Sequence, residues 1–218
     1  MPSRCARPAT ASPGPARRRL AGCWSTRRWA RTGVWCTRRT WRRTRRRTSR
    51  SGAVAGLCPV TEADLGDGTF DAVRFLAAGG RFGVGSDSHI AVSAAAELRQ
   101  LEYSQRLQAR ARNVLGALGG STGRALFEAA VSGGGQALGI SAGLHQGGNA
   151  DIVALDDAHP AYPCLARDCW LDAWIFSAGK ALINSVWAGG TKLVEGGRHR
   201  AREPVARRYG AAMKKLLA

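Results

Sequence analysis

The sequence predicts an α/β chain, and three observations carry the prediction. Over Gly52–Asp87, short apolar runs bounded by glycine or proline alternate with a helical stretch, the rhythm of a parallel sheet. From Ser93 onward, leucines recur at helical spacing for five turns or so. After Gly147-Gly148 the period falls to two, as in antiparallel strands.

Taken in order, GAVAGLCPV (Gly52–Val60) is an apolar run closed by a proline and suits a buried strand. TEADLGDGTF follows as a polar, glycine-bearing loop. DAVRFLAAGG (Asp71–Gly80) predicts a short helix with Val73, Leu76 and Ala77 on one face and glycines at its end. RFGVGSD is then a second short strand. Ser93 can cap a helix through AAAELRQLEYSQRLQARARNVL, where Leu98, Leu101 and Leu107 share a face. Another helix runs from about Thr122 to Ser132, carries Leu126, Phe127 and Val131, and stops at Gly133-Gly134-Gly135. That triplet lacks the lysine and the preceding strand of a phosphate loop. ADIVALD (Ala150–Asp156) reads as a strand, and NSVWAGGTKLVEGG (Asn184–Gly197) as a hairpin turning at Gly189-Gly190. EPVARRYGAAMKKLL closes the chain as an amphipathic helix beginning near Pro204.

Charge divides the chain sharply. The 218 residues carry a net +18, a value that ordinarily points to nucleic acid. Yet residues 1–50 hold 16 Arg and no Lys, Asp or Glu, leaving 17 Lys+Arg against 15 Asp+Glu in the rest. The body is therefore close to neutral, and a nucleic-acid partner is not favoured. Six cysteines, without short paired spacing, read as thiols of a reducing, cytoplasmic compartment. No apolar run is long enough to span a membrane, and no continuous apolar stretch of a secretory signal is seen.

The arginine-rich segment, with Trp24, Trp29, Trp35 and Trp41, shows neither helical nor strand period, and is expected to be disordered. It could be a basic arm for single-stranded nucleic acid, a transit peptide, or a stretch read out of frame. Arginine without lysine favours the last, because GC-rich DNA in a shifted frame yields Arg, Ala, Pro, Thr, Gly and Trp. Reading Val34–Trp41 from the third base of the valine codon permits Leu-Val-His-Ala-Thr-His-Met, an apolar run leading into histidines.

GVGSDSH (Gly83–His89) places one carboxylate, Asp87, at a strand end, where parallel α/β folds carry their chemistry. Such a group can bind a metal ion and accept a proton from metal-bound water. On these residues alone a turn aspartate is the commoner role. His89 is a hydrogen-bonding or ligand candidate; His145, His159 and His199 are too scattered for a local metal motif. Glu62 and Asp64 fall in the post-strand loop, open to substrate or to solvent. Arg99, Arg106, Arg110 and Arg112 are assigned to a solvated helix face.

Ser51–Leu115, with its run GSDSHIAVS and ELRQLEY, closely resembles the formimidoylglutamate deiminases of the amidohydrolase superfamily. GGNADIVALDDAHP and VWAGGTKLVEGGRH are similar to the superfamily's closing segments. The resemblance implies a metal-dependent (β/α)₈ barrel with a small β-sandwich. Residues 51–145 would be the last βα units, 146–200 sandwich strands and 201–218 a closing helix. It implies hydrolysis of N-formimidoyl-L-glutamate to N-formyl-L-glutamate and ammonia, a step of histidine degradation. Asp87 would be both metal ligand and proton carrier, beside a divalent metal, usually zinc. The family's histidine ligands and its acid/base glutamate are missing, and Asp64 stands where asparagine is expected. The expectation is thus a C-terminal portion, inactive as written, whose complete form takes a small-molecule substrate and no membrane, with homo-oligomers allowed. Another deaminase or chlorohydrolase of the superfamily is the alternative, and an arginine-rich nucleic-acid binder on a degenerate scaffold comes third.

Overall fold

The computed structural model describes residues 34–36 (backbone alone), 52–88, 91–116, 120–160, 162 and 169–217. All of them fall in one compact unit, Arg31–Ala218. Two sheets organise it: a three-stranded one in the order β1-β2-β3 and a four-stranded one in the order β4-β5-β6-β7.

In the first sheet, β1 (Val34–Cys36), β2 (Val54–Leu57) and β3 (Arg81–Val84) run parallel, with Val34 opposite Val54 and Val54 opposite Arg81. β1 corrects the expectation of disorder across 1–50 at these positions; the rest of that segment lies outside the described residues. Val54, Ala55 and Leu57 are buried, as a continuous apolar run in a parallel sheet requires.

Between β2 and β3 the expected loop is partly a helix, α1 (Pro59–Leu65). Pro59 closes the strand and also opens this helix, because its fixed φ and missing N–H suit the first turn. Glu62 Oε1 accepts the Cys58 N–H at 3.0 Å, and Gly66 ends the helix in the left-handed conformation. α2 (Ala72–Ala77) forms as expected, with Leu76 packed against the core, but Val73 and Ala77 of the expected face turn outward. Ala72 and Phe75 are buried while Val73 is 44% exposed, because Phe75 packs edge-on against Phe70.

α3 (Ala94–Ala109) is capped by Ser93 Oγ, which accepts the Ala96 N–H at 3.3 Å. Leu98 and Leu101 enter the core, but Leu107 is 82% exposed and the helix stops at Arg110 in the left-handed conformation. Arg106 is not on a solvated face: its Nε lies 2.7 Å from Glu102 Oε1, and its guanidinium packs over Tyr103 and Phe176.

α4 (Thr122–Leu138) continues straight through Gly133-Gly134-Gly135, where the glycine triplet predicts its end. Gly133 serves close packing: a Cβ there would overlap the Phe82 carbonyl of β3. α4 thereby lies on the parallel sheet, and the helix ends at Gly139 instead.

The second sheet contains β4 (Ile152–Leu155), β5 (Ile183–Ala188), β6 (Thr191–Glu195) and β7 (Arg198–His199), all antiparallel. The β5–β6 hairpin turns at Gly189 and Gly190, both at positive φ, as a two-residue loop demands. Within the span assigned to strands, 169–182 is helical: α5 (Cys169–Ala173), a wider turn over Trp174–Ala178 and a tight one over Gly179–Leu182. Its Trp174, Ile175 and Leu182 are buried in the same cluster as Leu57, Phe82, Leu98 and Leu101. Each such side chain contributes about 1.5–3 kcal/mol by leaving water. α6 (Arg202–Leu217) ends the chain and buries no residue. No described helix is long and apolar enough to cross a membrane.

Candidate active-site corner at the end of β3

The parallel register puts the carboxyl ends of β1, β2 and β3 on one edge. Gly85 N–H donates to Leu57 O at 2.9 Å, so the ladder extends one step beyond β3 before the chain turns. Ser86, Asp87 and Ser88 form that turn. Asp87 is exposed and stands at φ +39, in the left-handed region that non-glycine residues occupy at a cost of about 1 kcal/mol or more. Aspartate is among the few side chains that visit it readily.

Thr61, on α1, reaches across from the neighbouring strand. Its Oγ1 lies 3.2 Å from Ser86 O and 2.9 Å from Ser88 Oγ, and accepts the Ser88 N–H at 3.3 Å. α1 is itself held from α3: Glu97 Oε2 accepts the Val60 N–H at 2.9 Å. Glu97 is 2% exposed, and its Oε1 has no hydrogen-bond partner among the described residues. Burial raises its carboxyl above the ordinary value; the Val60 N–H pulls the other way and the Glu62 charge adds to the rise.

The other sequence candidates do not gather here. Glu62 is helical and buried, where a solvated loop was expected. Asp64 is exposed on α1. His89 lies outside the described residues. His145 is bound locally, its Nε2 2.9 Å from Ser141 Oγ. His199 ends β7, where its Nδ1 accepts the Ala201 N–H at 3.1 Å, and His159 sits in the loop after β4. Thr61 and Glu97 leave no local signal in the sequence, because their partners lie 27 and 37 residues away.

The model of the amidohydrolase family matches residues 19–193, most of the chain. The chain belongs to the amidohydrolase family. Over 171 residues this amidohydrolase chain is 46% identical to the formimidoylglutamate deiminase of Pseudomonas aeruginosa, covering 78% of this chain and 38% of that relative. The chain therefore spans well under half of the relative's length. The crystal structure of an amidohydrolase from Brucella melitensis is similar at 52% identity and a TM-score of 0.75, over 84% of this chain and 41% of that one. An adenosine deaminase from Xanthomonas campestris, solved with bound zinc, shares the fold at 20% identity and a TM-score of 0.69, over 83% and 41% of the two chains.

The donors present do not fit a zinc centre. Among the described residues no three of His, Cys, Asp or Glu come together to hold a metal ion, and Asp87 is a single exposed carboxylate. Zinc sites draw three or four protein ligands.

Proposed function

We propose that this chain is part of a formimidoylglutamate deiminase, a hydrolase that replaces the imino nitrogen of N-formimidoyl-L-glutamate by oxygen and releases ammonia in histidine degradation. The 46% identity to the Pseudomonas deiminase carries the reading. In it, 51–145 supply the last βα units of a (β/α)₈ barrel, 146–200 the strands of a small β-sandwich with the helical 169–182 inserted, and 201–218 a closing helix. Asp87 is the carboxylate of the reaction centre, a metal ligand and proton acceptor once a full donor set surrounds it. The whole enzyme is cytoplasmic and acts on a small molecule, as a single chain or a homo-oligomer.

Because no metal-holding donor group gathers among the described residues, the 218-residue chain by itself is expected to be inactive. Purified and supplied with zinc, it releases no ammonia from formimidoylglutamate in a coupled glutamate dehydrogenase assay, and retains no stoichiometric zinc after desalting. Steady ammonia release would overturn the inactivity. The same assay on the complete enzyme, with guanine and cytosine as competing substrates, checks the substrate class.

A further inference from the structure

We infer that Thr61 is a positioning residue for Asp87: one buried hydroxyl, carried by the helix after β2, holds the turn after β3 in the conformation that exposes the carboxylate. The inference rests on the reading of Asp87 above and adds the device that sets its place.

A threonine hydroxyl has one proton and two acceptor sites. At Thr61 all three find partners together. The hydroxyl donates to Ser86 O at 3.2 Å, and it accepts from Ser88 N at 3.3 Å and from Ser88 Oγ at 2.9 Å. These partners flank Asp87 on both sides, so the clasp fixes the peptides that define its φ of +39. Thr61 is only 2% exposed, which leaves little water to replace a lost bond.

Its own location is determined from three directions. Glu97 of α3 receives the Val60 N–H, Glu62 receives the Cys58 N–H, and Leu57 O receives the Gly85 N–H. The clasp therefore ties the last residue of β2 and two helices to the Asp87 turn.

Hydrogen exchange on the full 218-residue chain tests this. Thr61→Val keeps the volume and deletes every bond of the clasp; Thr61→Ser keeps the hydroxyl. The expected result is Ser88 amide exchange about tenfold or more faster in Thr61→Val, with the Phe82–Val84 amides unchanged, and recovery in Thr61→Ser. An equally protected Ser88 amide in Thr61→Val overturns the inference, as does an unprotected one in the parent chain. Equal acceleration of all amides reduces Thr61 to ordinary core packing and also overturns it. The reading of Asp87 fails by a separate result: replacing Asp87 in the complete enzyme without losing turnover. That outcome would leave the clasp standing.

Discussion

Glu97 is a carboxyl held almost wholly out of water by the first turn of α3, with one oxygen on the Val60 N–H and the other without a partner among the described residues. Its raised affinity for protons has a thermodynamic consequence. The folded state keeps the proton to higher pH than the unfolded chain, whose value is near 4.5. This residue therefore favours folding most below that value, and the advantage is lost as pH rises through the raised folded value. Glutamine cannot ionise and still offers an oxygen to Val60. Glu97→Gln should therefore gain on the parent chain as pH climbs from 4.5 to neutrality, which thermal melts at stepped pH will show. A constant difference across that range would count against a buried, protonatable Glu97. Glu102 manages burial differently: it accepts the Val114 and Leu115 N–H groups as well as Arg106 Nε, so its charge is satisfied in place.

At the scale of elements, helix-breaking residues inside α4 show how packing overrides propensity. Three consecutive glycines cost a helix about 1 kcal/mol each against alanine. At Gly133 the cost is offset where the helix meets the backbone of β3, since a Cβ there would strike Phe82. The neighbouring Gly134 has open space where its Cβ would be. Two substitutions one residue apart should then act oppositely. Gly133→Ala should destabilise by about 3 kcal/mol or more through forced separation of helix and strand. Gly134→Ala should stabilise by up to about 1 kcal/mol through helix propensity. Urea denaturation followed by circular dichroism measures both, and similar effects at the two sites would refute the close-packing account.

Across the whole molecule, the parallel sheet raises the question of the reading frame. Val34–Cys36 pairs in register with Val54–Gly56, yet it lies in a segment whose composition is foreign to the rest. Both frames place apolar residues over these positions, Val-Trp-Cys in one and Leu-Val in the other, so a strand is compatible with either. In the shifted frame the first histidine falls at the Cys36/Thr37 boundary, the carboxyl end of β1 and the same sheet edge as the Asp87 turn. We propose that the cellular product carries the shifted peptide. Sequencing the DNA upstream of codon 51 should reveal the compensating insertion or deletion. Recovery of the tryptic peptide Thr32–Arg38 from native protein would sink the proposal.

The sequence by itself determined the α/β class, strands β2 and β3, the Ser93 cap, the hairpin at Gly189-Gly190, and the position of Asp87 at a strand end. Those features follow from period, caps and turn chemistry, which act between residues a few positions apart. Only the tertiary structure decided that Phe75 and not Val73 turns inward, that Leu107 is left in water, and that α4 runs through its glycines. It alone brought Thr61 to the Asp87 turn and Glu97 to Val60, since contacts between distant segments of the chain leave no local pattern to read.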